Sequence, residues 1–199
     1  MAEKIAVAKD RPHAKGVALV SPPEFLAEHV STEAPMLRTT YPLARIQALY
    51  RSVHAIGVIL PAAVPGAPPH VVQGRTILNV WTEESPSSPL RELVLELRRH
   101  GRRALAGTSA NRTGEPTITD PDEVAAVFGS RVSVMLLDST DRVPPARRLS
   151  ASMVDLTGPT PRLVREGSVP EEELRTEFHR LGLGELAVAP GVVRLGSAA

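Results

Sequence analysis

Two short stretches carry side chains that could hold a phosphate-bearing ligand. The first, K-D-R-P-H-A-K over Lys9–Lys15, gathers Lys9, Arg11 and Lys15 around a turn entering an apolar run. Cations so close repel one another, and an anion seated among them relieves the repulsion. The second, G-T-S-A-N-R-T-G-E-P-T over Gly107–Thr117, follows a run of small residues. Ser109 and Asn111 are short donors, and Gly114 lets backbone N–H groups come close, so the bend can cradle an anion or a nucleotide. Each stretch also has a plain reading, as a solvated basic turn and as a turn feeding a capped helix. His13, inside the basic turn, could assist with an anion or simply face solvent.

Other chemistries are excluded more readily. There is no Cys, so thiol catalysis, thiolate metal sites and disulfides are ruled out. The six His are scattered, with no H-E-x-x-H pair, so no protein-built metal site is expected. No G-x-x-x-x-G-K-[ST] loop occurs, which argues against a P-loop ATPase. The formal net charge is only +1, but R-R-H-G-R-R (Arg98–Arg103), P-A-R-R (Pro145–Arg148) and P-R-L-V-R-E (Pro161–Glu166) form further basic islands that favour phosphate-bearing partners. No apolar run approaches the ~20 residues of a membrane helix, and Met1–Arg11 is too charged for a signal peptide, so a cytoplasmic location without a membrane partner is expected.

The elements that must position these residues alternate between strand and helix patterns, which implies an α/β fold with a mixed sheet flanked by helices. Glu3–Ala8 reads as a helix end, and Val17–Val20, Ile56–Leu60, Thr76–Trp81, Ala104–Ala106, Val132–Leu137, Ser152–Leu156 and Arg162–Val164 read as strands. Helices are expected after the S-P-P-E box at Ser21–Glu24, over Pro42–Val53, over Ser88–Gly101 and after the cap at Asp120–Glu123. In the Ser88–Gly101 helix, Leu90, Leu93, Val94 and Leu97 share one face. Asp120, Asp122 and Glu123 read as helix N-terminal charges. Trp81 is a core or subunit-contact residue. S-V-P-E at Ser168–Glu171 caps a last helix to about Leu181, followed by a Gly- and Pro-broken tail. This divides the chain into a domain over 1–168 and a C-terminal helix and tail over 169–199.

The K-x-R-P-x-x-K spacing, followed about a hundred residues later by S-A-N-x-x-G-x-P, resembles the YrdC-like family, the threonylcarbamoyl-AMP synthases. D-E-V-A-A-V-F-G-S-R-V-S-V-M-L-L-D (Asp122–Asp138) and M-V-D-L-T-G-P-T-P-R-L-V-R-E-G-S-V (Met153–Val169) are similar to the family's later segments, so the likeness runs from Ala2 to Val169. The resemblance implies a twisted mixed sheet with a basic concave face. It also implies formation of threonylcarbamoyl-adenylate and pyrophosphate from threonine, bicarbonate and ATP, for N6 modification of an adenosine in tRNA. Carried over by position, Arg11 and Lys15 contact ATP phosphates with Lys9 nearby, Ser109, Asn111 and Thr117 hold the nucleotide, and Arg165 closes the site. ATP enters as a substrate, with a Mg²⁺ ion bridging its phosphates; no catalytic residue is assigned.

The chain also departs from the family pattern. The family's P-T-D-T-V-Y-G-L segment precedes K-x-R-P, whereas only eight residues precede Lys9 here, so that segment is expected to be missing. Val20 stands where the family has a histidine, the Asn79–Val80 region has no arginine where the family has one, and Ala151-Ser152 replaces S-T. These positions lie on the family's amino-acid side. Two readings follow. One is an enzyme adenylating a carbamoylated amino acid, threonine or another. The other is a non-catalytic or altered-substrate relative that binds nucleotide, tRNA or double-stranded RNA through the same basic cleft.

Overall fold

The computed structural model describes residues 5, 7, 9, 17–53, 55–63, 67, 71–82, 89–103, 105–112, 115, 117–118, 120–132 and 149–194. Its strands are β1 (Ala18–Val20), β2 (Ala55–Pro61), β3 (Val72–Gln73), β4 (Thr76–Thr82), β5 (Leu105–Gly107), β6 (Ser152–Asp155), β7 (Arg162–Glu166) and β8 (Ala187–Arg194). The helices are α1 (Leu43–Ser52), α2 (Pro89–Arg99), α3 (Pro121–Phe128) and α4 (Glu171–Arg180). All the strands belong to one mixed sheet in the order β5-β1-β4-β2-β6-β7-β8, with β3 on β4. The α/β class expected from the sequence is what the chain forms.

The two faces of the sheet differ. On β4 the side chains alternate, with Ile77, Asn79 and Trp81 buried and Leu78, Val80 and Thr82 half-buried, as the period of a strand requires. The buried face carries the core: Leu19, Val58, Val154 and Leu163 from the sheet join Ile46, Leu49 and Tyr50 of α1 and Leu174 and Phe178 of α4. Trp81 belongs to this core. Two polar pins cross it. The Tyr50 hydroxyl donates to the Asn79 carbonyl at 3.1 Å and accepts from Asn79 Nδ2 at 3.0 Å. Ser152 Oγ donates to the Val169 carbonyl at 2.6 Å and accepts from the N–H groups of Gly167 and Val169 at 2.9 and 3.1 Å.

Several local expectations need correction. Ser21–Glu24 does not cap an α-helix. The chain makes a 3₁₀ turn over Pro23–Glu28 because the Ser21 hydroxyl turns to the Pro22 carbonyl and Glu24 is drawn to Arg91. Leu93 is exposed, and α2 buries only Val94. That helix is held instead through charge: Arg98 pairs with Glu28 at 2.5 Å and stacks 3.7 Å above the Phe25 ring. Asp120 does cap α3, accepting from the N–H groups of Asp122 and Glu123. Ser168 does not cap α4: the Glu171 N–H goes to the Glu166 carboxylate. The tail read as broken is β8, parallel to β7 on the sheet edge, where Pro190 is tolerated and Gly191 at φ +73° accommodates a register shift. Within the Val132–Leu137 stretch only Val132 is described, and it is exposed and outside any strand.

Candidate functional site

The basic turn and the Ser/Asn bend meet at Lys9. Its side chain, only 6% exposed, donates from Nζ to Thr108 Oγ1 at 2.9 Å, the Ser109 carbonyl at 2.7 Å and Asn111 Oδ1 at 3.1 Å. An ammonium has three N–H donors, so these contacts can engage them all. Lys9 therefore shapes the bend from beneath while leaving its positive charge in place. Arg11, His13 and Lys15 lie outside the described residues.

The bend is ordered by its own short side chains. Ser109 Oγ donates to Asn111 Oδ1 at 2.5 Å, and Asn111 Nδ2 donates to the Glu115 carbonyl at 2.6 Å. Because β5 pairs antiparallel with β1, Gly107 sits beside Ala18 and the bend emerges next to the start of β1. A Cβ on Gly107 would clash with Val20 Cγ2, which explains the glycine at the strand's end. Arg112, exposed in the bend, adds a cation that sequence reasoning passed over.

From the bend, a chain of contacts leads across to the far strands. The Ile118 N–H donates to the Ala110 carbonyl at 2.8 Å, so residues 117–118 lie against the bend. The Thr117 and Ser150 hydroxyls are 2.6 Å apart. The next carbonyl, Ala151, accepts from Arg165 through Nε at 3.1 Å and Nη2 at 2.6 Å. Lys9, Ser109 and Asn111 share one group of hydrogen bonds, and Thr117 and Arg165 are linked to it through neighbouring residues along the chain. Thr108 and Ser150 complete the set and were missed, since isolated hydroxyl residues give no sequence signal.

Among the described residues no carboxylate pairs with Arg165, and burial pushes its guanidinium below the usual arginine range without discharging it. A half-buried cation facing only a neutral carbonyl gains from an incoming anion. The island at Arg98–Arg103 differs: Arg98 is taken by Glu28, and Arg99 and His100 by Glu96. The Pro145–Arg148 island lies outside the described residues. No group of three His, Asp or Glu that could hold a metal occurs among the described residues, so the side chains described form no protein cage for Mg²⁺.

Of the positions that depart from the family pattern, Val20 and Val80 are direct neighbours in the β1–β4 register, whereas Ser152 is buried and committed to the 167–169 turn. Asn79 points the other way, into the core, with Nδ2 on Tyr50 and the Ser21 carbonyl.

Comparison with known proteins places the chain in a family. The model of the Sua5/YciO/YrdC family, described as "Telomere recombination", matches residues 1–167. A Mycobacterium tuberculosis protein provisionally named threonylcarbamoyl-AMP synthase is 35% identical over 86 residues, 43% of this chain and 37% of that protein. The threonylcarbamoyl-AMP synthase of Pyrococcus abyssi is 29% identical over 104 residues, 52% of this chain and 28% of that protein. The matched stretches span less than two fifths of these relatives' length. The crystal structure of P. abyssi Sua5 complexed with L-threonine superposes with a TM-score of 0.69 at 22% identity, over 94% of this chain and 49% of that one, and so shares the fold. A match that takes in most of the chain, on a sheet built the same way, makes this protein a member of the Sua5/YciO/YrdC family.

Proposed function

We propose that this chain is a nucleotidyltransferase resembling threonylcarbamoyl-AMP synthase, using ATP to adenylate a carbamoylated amino acid. The observation that carries the reading is the convergence of Lys9 and Arg165, residues far apart in sequence, on one set of linked residues built around the Ser109–Asn111 bend. In this reading Arg11, Lys15 and Arg165 bind the ATP phosphates. Ser109, Asn111 and Thr117 hold the nucleotide, and Lys9 fixes the bend and lends its charge.

The amino acid's nitrogen first bonds to the carbon of bicarbonate as a C–O bond of the bicarbonate breaks, giving a carbamate and releasing water. A carbamate oxygen then forms a bond to the α-phosphorus as the bond from that phosphorus to the bridging oxygen breaks, and pyrophosphate leaves with the electron pair. Negative charge accumulates on the phosphoryl oxygens and on the leaving group, where fixed cations in a partly dry site stabilise it. Bound Mg²⁺ would supply further charge neutralisation. The P. abyssi protein's complex with L-threonine supports an amino acid as the acceptor.

The test is pyrophosphate release from ATP and bicarbonate with a panel of amino acids, alongside calorimetric titration with ATP. Amino-acid-dependent release supports the enzyme. ATP binding without release from any amino acid favours the second reading, a binder of nucleotide, tRNA or double-stranded RNA. Support for that reading comes from the half-buried Arg165 alone, which would serve an RNA phosphate as well as a nucleotide. RNA affinity would then fall steeply with salt.

A further inference from the structure

Resting on the reading of Arg165 as a phosphate ligand, we propose that β8 is a positioning element of the site. It holds the bulge in β7 that turns Arg165 away from the core. β8 lies beyond the residues that the family model matches.

The bulge is defined by strand register. On β6, Val154 pairs with Leu163, and both are fully buried on the core face. The preceding β6 residue, Met153, pairs with Arg165, so Val164 is an extra residue on β7. In an unbroken ladder Val164 would oppose Met153, and Arg165 would oppose Ser152, which is fully buried on the core side. The bulge carries Arg165 to the other face instead. There its Nε and Nη2 donate to the Ala151 carbonyl at 3.1 and 2.6 Å, and among the described residues nothing engages Nη1. A one-residue slip of β7 against β6 is all that separates the two orientations.

β8 opposes that slip from the other side of β7. Val188 pairs with Leu163 and Val193 with Arg165, so residues 189–192 make a detour where β7 carries Val164. Gly191 at φ +73° lies in that detour, in a conformation that a β-branched residue adopts only with strain. Pairing resumes at Val193 and Arg194, and Arg194 locks the end of the strand. Its guanidinium binds the Glu166 carboxylate and, at 2.8 Å, that of Glu171. Glu166 also accepts from the Glu171 N–H at 3.0 Å. Adjacent residues of opposite charge are thus separated: Glu166 goes to Arg194 and the start of α4, and Arg165 goes to the site. With the Glu166 carboxylate so engaged, the Arg165 charge is kept for a phosphate.

The test is a double-mutant cycle on ATP affinity, read by calorimetry on the full chain. Gly191→Val strains the detour through the backbone alone, since a Cβ there would meet nothing within 4 Å. Arg194→Gln releases the end of β8 and leaves its backbone unstrained. Each should weaken ATP binding by at least about fivefold, and by less than about twofold when Arg165 is already Ala. Gly191→Asn, with a side chain that tolerates positive φ, should stay within about threefold of the parent. A merely structural role would lower the urea midpoint and weaken ATP binding equally in both backgrounds, and that additive result would overturn the inference. ATP affinity untouched by both β8 variants, with Arg165→Ala still weakening it, would also overturn it and leave the adenylation reading standing. ATP affinity unchanged by Arg165→Ala would overturn both this inference and the role of Arg165 on which it rests.

Discussion

Replacing Lys9 by Met tests how the bend is held. The substitution keeps an apolar stem and removes the ammonium, which now donates to Thr108 Oγ1, the Ser109 carbonyl and Asn111 Oδ1 at 2.9, 2.7 and 3.1 Å; Asn111 Oδ1 keeps its bond from Ser109 Oγ. A hydrogen bond to a charged group contributes about 1.5–3 kcal/mol net, and three bonds sharing one ammonium do not add in full. A loss of about 3 kcal/mol in the stability of the bend is the working figure. Converted at about 1.4 kcal/mol per decade, it is a rise in local opening on the order of a hundredfold. The reporters are the Glu115 and Ile118 amides, bonded to the Arg112 and Ala110 carbonyls, followed by hydrogen exchange. Both should exchange on the order of a hundredfold faster, and ATP affinity should weaken with them. Lys9→Arg should rescue little, because a planar fork cannot point donors at three acceptors arranged around one nitrogen. Exchange within about threefold of the parent rate, with ATP affinity unchanged, would refute the reasoning.

Other perturbations test the frame and the site. Ser152→Ala strands two N–H groups and a carbonyl in a fully buried turn, so a loss of about 2–4 kcal/mol is expected, read as a lower midpoint in urea. Tyr50→Phe removes the hydroxyl joined to Asn79 and should destabilise by about 1–2 kcal/mol in the same assay. Burial holds His29 below the ordinary histidine pKa, with Glu28 and the Arg103 backbone opposing and the Arg98 charge adding to the shift. The unfolded chain therefore binds this proton more readily. The stability from keeping the ring neutral is complete above about pH 6.5 and falls as pH drops below it. His29→Leu should flatten that part of the stability–pH curve, and an unchanged slope would remove His29 as its source. Arg165→Ala should weaken ATP binding by about 1–3 kcal/mol in calorimetry, and no change would take it out of the site.

What could be read from the sequence depended on the range of the interactions involved. β2 follows from a local apolar run buried on both faces, and β4 and α1 from apolar periodicity, with their buried faces where that periodicity puts them. Capping motifs were less dependable. Asp120 gives its carboxylate to the N–H groups of Asp122 and Glu123, whereas at Glu24 an arginine from α2 takes it. β8 escaped notice because Pro190 and Gly191 break a strand pattern that an edge position tolerates. At the site, the residue types in the bend were legible, but the use of Lys9 beneath it was not. That role depends on a contact spanning about a hundred residues, which spacing alone cannot give. The face that Arg165 takes likewise follows only from strand register.

The central claim is that the Ser109–Asn111 bend and Arg165 border one polyphosphate site, and a crystal structure with a non-hydrolysable ATP analogue tests it most directly. The account predicts triphosphate density contacting the 108–112 backbone, Ser109 Oγ and the Arg165 guanidinium. A triphosphate bound elsewhere at full occupancy, with the bend and Arg165 untouched, would contradict it.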